Sequence, residues 1–155
     1  MNEKFLRRAV DIAREVSRNG KNGPFGAVIA QNDIIISEGW NQVVETIDPT
    51  AHAEIMAIRK ACQKLGRFDL TDCILYSSCE PCPMCFSAIY WARIHTVYYA
   101  ASRIEAELAG FDDDFIYKEL AAPMSQRQIP FIRMLAEEGN AVLKAWLVNP
   151  EKIPY

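Results

Sequence analysis

The apolar positions change period several times along the chain, and each change marks an element. Phe5, Ala9, Ile12, Ala13 and Val16 recur at helical spacing among charged neighbours, which predicts an amphipathic helix over residues 3 to 18, stopped at Asn19-Gly20. After Gly23-Pro24, the run Phe25 to Ala30, the polar Gln31-Asn32-Asp33 and the run Ile34 to Glu38 predict a β-hairpin. Asp48-Pro49-Thr50 reads as a helix start, with Asp48 as N-cap and Pro49 at the first helical position; this helix runs to about Leu65, where Gly66 stops it. Cys73 to Ser77 predicts a short strand, Cys79-Glu80-Pro81-Cys82-Pro83 a second helix start leading to about Trp91, and Thr96 to Ala100 another strand. Beyond Arg103 the expected elements are a helix near Asp113 to Leu120, a further element near Ile129 to Leu135, and a helix near Asn140 to Leu147 before an irregular tail.

Strand, helix, strand, helix, strand in this order implies right-handed crossovers and a largely parallel sheet with helices on both faces. No repeat, low-complexity tract or Gly/Ser-rich linker divides the 155 residues, so one domain over 1–155 is expected. A chain of this size needs no metal merely to fold, so a metal here would point to chemistry. The formal charge is −3, from 17 Lys plus Arg against 20 Asp plus Glu, and no block of like charge stands out, which weighs against nucleic acid as the partner. No apolar run approaches the roughly 20 residues that span a bilayer, and charges occupy the N-terminus where a signal peptide would be apolar. The expected location is the cytoplasm, without a membrane. Of the five cysteines, Cys79, Cys82 and Cys85 crowd together, which suits metal or redox chemistry rather than a disulfide framework.

The candidate chemistry lies at the two internal helix starts. One carries His52-Ala53-Glu54 and the other Pro81-Cys82-Pro83-Met84-Cys85. Two thiolates and one imidazole leave the fourth position of a tetrahedral ion for water, which is the catalytic pattern of zinc. Helix N-termini favour negative charge, so both thiols are expected to titrate low. Residues i and i+2 point apart on a helix, but side chains of an opening turn can both reach a metal lying beyond the helix end. Glu54 is then the base that takes a proton from water and delivers it to a substrate nitrogen. The competing reading is a structural zinc, for which Cys79 is the available fourth ligand, in a non-catalytic interaction module. Cys62, Cys73 and His95 read as structural residues.

His-x-Glu followed by Pro-Cys-x-x-Cys is the pattern of zinc-dependent base deaminases. With Gly23-Pro24-Phe25-Gly26-Ala27-Val28, Asn41, the block Asp48 to Glu54 and the block Ser78 to Cys85, the chain resembles the cytidine deaminase-like superfamily of zinc aminohydrolases over nearly its whole length. The blocks Ala88 to Arg93 and Ala109 to Tyr117, with Tyr155, tilt the resemblance from members acting on adenosine in tRNA toward members acting on free guanine. The fold so implied is α/β, a three-layer α/β/α sandwich around a mixed, mostly parallel five-stranded sheet. The resemblance also implies one Zn2+ per subunit on His52, Cys82 and Cys85, catalysis by Glu54, and conversion of guanine to xanthine and ammonia in purine catabolism or salvage. A nucleoside or tRNA adenosine is the alternative substrate.

Substrate contacts are expected from Asn41 as donor and acceptor, Phe25 as stacking face, Asp113 as acceptor, and Trp91 and Tyr155. Each has a bland counterpart: core packing for Phe25 and Trp91, a turn for Asn41, a helix-start charge cluster for Asp112-Asp113-Asp114, and a loose end for Tyr155. The resemblance further implies a homodimer that exchanges the C-terminal segment from about residue 137 onward.

Overall fold

The hairpin closes on two residues, Asn32 (φ 48°) and Asp33 (φ 61°), both left-handed. A two-residue turn with positive φ at both positions matches the right-handed twist of the strands it joins. These strands are β1 (Gly26–Gln31) and β2 (Ile34–Trp40) of a computed structural model that describes residues 2–18 and 20–154. Asn19 as a helix stop and Tyr155 as a substrate contact lie outside the described residues. Before the hairpin runs α1 (Glu3–Ser17), opened by Asn2, whose side chain accepts from the Lys4 N–H at 3.2 Å.

The sheet order is β2-β1-β3-β4, with β3 at Ile74–Cys79 and β4 at Thr96–Ala101. β1 is antiparallel to both neighbours and β3 is parallel to β4, so β2, β3 and β4 share one direction. The crossovers between these strands run through α3 (Ala53–Leu65) and α4 (Pro83–Trp91). The mixed sheet is as expected, but it has four strands rather than five among the described residues. The element expected near Ile129 to Leu135 carries no regular structure. Pro130, the second residue of that stretch, has no N–H to give to a ladder or helix and restricts Ile129 before it, which disfavours regular structure there.

Alternation along the strands divides the core. Val28, Ala30 and Tyr76 pack with Ala9 and Ile12 of α1, while Ala27, Ile29 and Leu75 pack with Ala53, Ala57 and Ala61 of α3 and Ile89 of α4. Helices thus cover both faces, giving three layers. Each face has one glycine where a helix backbone comes too close for a side chain. A Cβ on Gly26 would lie 2.4 Å from the Ala9 carbonyl oxygen, and one on Gly39 would lie 2.2 Å from that of Ala53 and 2.5 Å from the Ala57 nitrogen.

α3 begins later than the sequence predicts. Asp48 does not cap it; its Oδ1 accepts from the Thr50 N–H (2.8 Å) and Thr50 hydroxyl (2.7 Å), closing a turn after the short helix α2 (Val43–Thr46). His52 stands at the N-cap instead. The other end is as expected, with Gly66 left-handed (φ 65°) and the Arg67 N–H reaching back to the Cys62 carbonyl at 3.2 Å.

The chain forms two compact units, Met1–Asp114 and Phe115–Tyr155. The first ends with α5 (Arg103–Leu108), which opens on a reciprocal capping box between Ser102 and Glu105. The second holds most of α6 (Asp114–Ala121) and all of α7 (Ala136–Val148), close to the expected helices. Between them, Glu119 accepts from the Gln128 N–H at 2.9 Å and the Arg127 guanidinium lies 5.5 Å from the Phe131 ring. No helix among the described residues is long and apolar enough to cross a membrane.

Gly39→Ala drives a methyl group into the first turns of α3. The expected loss is about 3 kcal/mol, a fall in Tm of roughly 6–12 °C by calorimetry; an unchanged Tm contradicts the close approach.

Candidate active site

His52 and Cys82 occupy equivalent positions. Each is an N-cap with extended backbone, His52 at φ −71°, ψ 157° and Cys82 at φ −64°, ψ 168°, and neither side chain is used for capping. Pro83, at the first position of α4, suits this start because its missing N–H would have no intrahelical partner. Cys85 follows in the first turn, buried. His52 Nδ1 lies 3.5 Å from Cys82 Sγ and 3.7 Å from Cys85 Sγ, and the three ligand atoms all lie within 4.8 Å of one another.

A tetrahedral zinc with Zn–S of about 2.3 Å and Zn–N of about 2.0 Å sets sulfur and nitrogen about 3.5 Å apart. The arrangement therefore fits the ion, and a thiolate and imidazole donor set suits zinc. Because His52 is extended rather than helical, the objection that i and i+2 diverge does not apply to it. Glu54, one residue into α3, reaches the same place: its Oε2 lies 3.4 Å from Cys85 Sγ.

Glu54 is only 6% exposed, and burial raises its carboxyl above the ordinary range. Its two oxygens are divided between partners, the Ser77 hydroxyl donating to Oε1 at 3.1 Å and the Cys85 thiol to Oε2. The expectation that both thiols titrate low holds for one of them. The close contact with Cys85, assisted by His52 and opposed by burial, takes Cys82 down to about 4. Cys85 goes up, through its contact with the Cys82 sulfur and its own burial. His52 also goes up, chiefly through its hydrogen bond with Cys82.

The other expected residues separate in space. The Asn41 N–H donates to the Phe25 carbonyl (3.1 Å), and its side-chain Oδ1 accepts from the Val43 N–H (3.3 Å), so Asn41 does hold a turn while lying beside Phe25. Phe25 is half-buried and meets Phe111 edge to face, with ring centres 4.8 Å apart. Of the acidic triplet, Asp112 accepts from the Asp114 N–H at 2.9 Å, and Asp114 lies 3.9 Å from the Arg103 guanidinium. Asp113 is the one coupled to the site, its carboxyl raised by burial and then by the Cys82 charge. Trp91 ends α4, 68% exposed and roughly 13 Å along the helix from Cys82. The Cys79 thiol donates to the Ser102 carbonyl at 3.7 Å, and Cys79 does not belong to the three-residue group. Ser77 was not singled out from sequence, although a hydroxyl at a core-facing position of a strand is a visible signal.

A three-layer mixed sandwich with this cluster at two helix starts defines a zinc-dependent deaminase class. Residues 1–101 match the family model described as the cytidine and deoxycytidylate deaminase zinc-binding region, and the chain belongs to that family. It is similar to the guanine deaminase of Bacillus subtilis, 56% identical over 144 residues that cover 93% of this chain and 92% of the relative. The crystal structure of a Bacillus subtilis guanine deaminase superposes with a TM-score of 0.95 at 54% identity, covering 100% of this chain and 99% of that one. A tRNA-specific adenosine deaminase of Haemophilus influenzae is 35% identical over 161 residues, covering 92% of this chain and 91% of the relative.

The split between the thiols is directly testable. In metal-free protein at pH 6, iodoacetamide is expected to label Cys82, which titrates at about 4, and to spare Cys73 and Cys79, both pushed up to about 11. Peptide mass mapping checks this; equal labelling of the three contradicts it.

Proposed function

We propose that the chain hydrolyses guanine to xanthine and ammonia, with His52, Cys82 and Cys85 holding one zinc ion per subunit and Glu54 carrying the proton. The observation that carries this reading is the convergence of a soft three-atom ligand set with a buried carboxylate that touches it. The name of the Bacillus subtilis relative supports guanine as the base. Bound zinc supplies Lewis acidity that activates water for attack on the base. Glu54 takes the first water proton and delivers it to the ring nitrogen beside C2, where it stays in xanthine. It then takes the remaining hydroxyl proton and delivers it to the amine, which leaves as ammonia as the C2 carbonyl forms and the C2–N bond breaks. Burial raises its carboxyl, which favours the protonated form that a proton carrier must hold between taking and returning the proton.

Around the base, Phe25 offers an aromatic face and the Asn41 amide a fixed hydrogen-bonding edge. Asp113 accepts from purine N–H groups, which guanine offers on adjacent ring and exocyclic nitrogens. A tRNA substrate would call for free cations. Of six arginines that could supply them, Arg7, Arg8, Arg67, Arg93 and Arg103 each lie within 4.0 Å of a carboxylate, and Arg127 donates to the Ala122 and Leu120 carbonyls.

We also infer a homodimer that exchanges the segment from about residue 137 onward, with Tyr155 closing the partner's site and Trp91 at the substrate side of the interface. What supports this is the apolar surface of the second unit, including Val142 at 69% and Val148 at 78% exposed. Free thiols at all five cysteines suit a cytoplasmic location.

In ammonia-release assays across guanine, guanosine, adenine, cytosine and tRNA, turnover is expected on guanine. Glu54→Ala should lower kcat about 10²–10⁴-fold with zinc retained, whereas Cys82→Ala should lose zinc and activity together. Turnover only on a nucleoside or tRNA overturns the substrate, and an active Glu54→Ala overturns the mechanism. Light scattering should give twice 17.6 kDa; a monomer rejects the exchange.

A further inference from the structure

We propose that Ser77 is a positioning residue, whose hydroxyl holds one oxygen of the Glu54 carboxylate so that the other faces the reacting water and base. The inference rests on the reading of Glu54 as proton carrier. Ser77 lies on β3 at the same parity as Leu75, on the face that packs against α3. It is 2% exposed. A hydroxyl at such a position costs stability unless it is hydrogen-bonded, and its strong partner is Glu54 Oε1 at 3.1 Å. The Cys79 N–H reaches the same hydroxyl oxygen at 3.5 Å, so the hydroxyl receives from the backbone and gives to the carboxylate.

The two bonds to Glu54 differ in what they survive. A cysteine that ligates a metal does so as a thiolate and has no proton to donate. The Cys85 contact to Oε2 therefore cannot orient the carboxylate in zinc-loaded protein. The Ser77 bond to Oε1 needs no ligand proton and persists. Glu54 has three side-chain torsions beyond a backbone fixed by the first turn of α3, and the Ser77 bond selects among them. A carboxylate anchored at Oε1 keeps Oε2 on the side of His52, Cys82 and Cys85, where the reaction takes place.

The test compares Ser77→Ala, Ser77→Val and Ser77→Thr as zinc-loaded proteins. Valine matches threonine in shape and lacks only the donor. Alanine and valine are expected to lower kcat on guanine about 10–100-fold. KM should stay within about threefold of native, and zinc content should remain at the native level. Threonine should restore kcat to within about threefold of native. Native kcat in Ser77→Val, threonine no better than valine, or zinc loss in both alanine and valine overturns the proposal. In crystals of zinc-loaded Ser77→Ala without any base, the Glu54 carboxylate should occupy more than one orientation; a single unchanged orientation also overturns it. This last arm uses no substrate, so it decides the role of Ser77 even where native protein proves inert toward guanine, a result that counts against the substrate alone.

Discussion

The N-termini of α3 and α4 are brought to one point, and the chemistry of the site depends on that convergence. A helix N-terminus carries unpaired N–H groups and the positive end of its dipole. Cys82 sits at one such end with its sulfur turned toward His52 at the other, which favours a thiolate there. Neither helix start spends its first side chain on capping. Both leave the capping position to a residue that can bind metal, giving up roughly 1 kcal/mol of ordinary capping stability at each end.

The rest of the first unit keeps those ends in place. Gly39 lets the start of α3 lie directly on β2, and small side chains at Ala53, Ala57 and Ala61 keep the helix close to the sheet. The Ser37 hydroxyl donates to the Ala57 carbonyl at 2.7 Å, and Lys60 donates to the Glu38 carbonyl at 3.0 Å while lying 4.1 Å from the Trp40 ring. On the opposite face Arg8 grips the Glu38 carboxylate with two bonds, 2.8 and 2.9 Å, so β2 is tied to helices on both sides. A half-buried two-bond pair of this kind adds direction as well as energy. The carboxylate of Glu54 is the costly element in this unit, and the Ser77 bond to Oε1 offsets part of that cost.

Much of this was legible in the sequence where one local rule governs. The hairpin, the Gly66 stop and the Pro83 start come from turn and cap chemistry, and each is present. His52, Cys82 and Cys85 were legible as a set because residue type and spacing constrain a metal site tightly. The start of α3 was not, since Asp48 has two local uses, as a cap or as a turn acceptor, and packing rather than local pattern chooses between them. The acidic triplet posed the same difficulty. Asp112, Asp113 and Asp114 are chemically identical, and only the packing of the loop before α6 assigns one to a turn, one to the neighbourhood of Cys82 and one to Arg103. The further element near Ile129 to Leu135 did not form, and Pro130, which has no N–H to pair, weighs against regular structure there. The fifth strand was implied by the family resemblance and not by any segment of this chain. Ser77 shows how a functional partner hides in plain pattern: its parity on β3 marks it as core-facing, but the carboxylate it meets is 23 residues away in sequence.

X-ray absorption at the zinc edge on native, zinc-loaded protein tests the central claim most directly. The expected spectrum has two sulfur scatterers at about 2.3 Å and two nitrogen or oxygen scatterers at about 2.0 Å, as required by Cys82, Cys85, His52 and an open position filled by water. A third sulfur, which Cys79 would have to supply, describes a closed structural site and contradicts the catalytic reading.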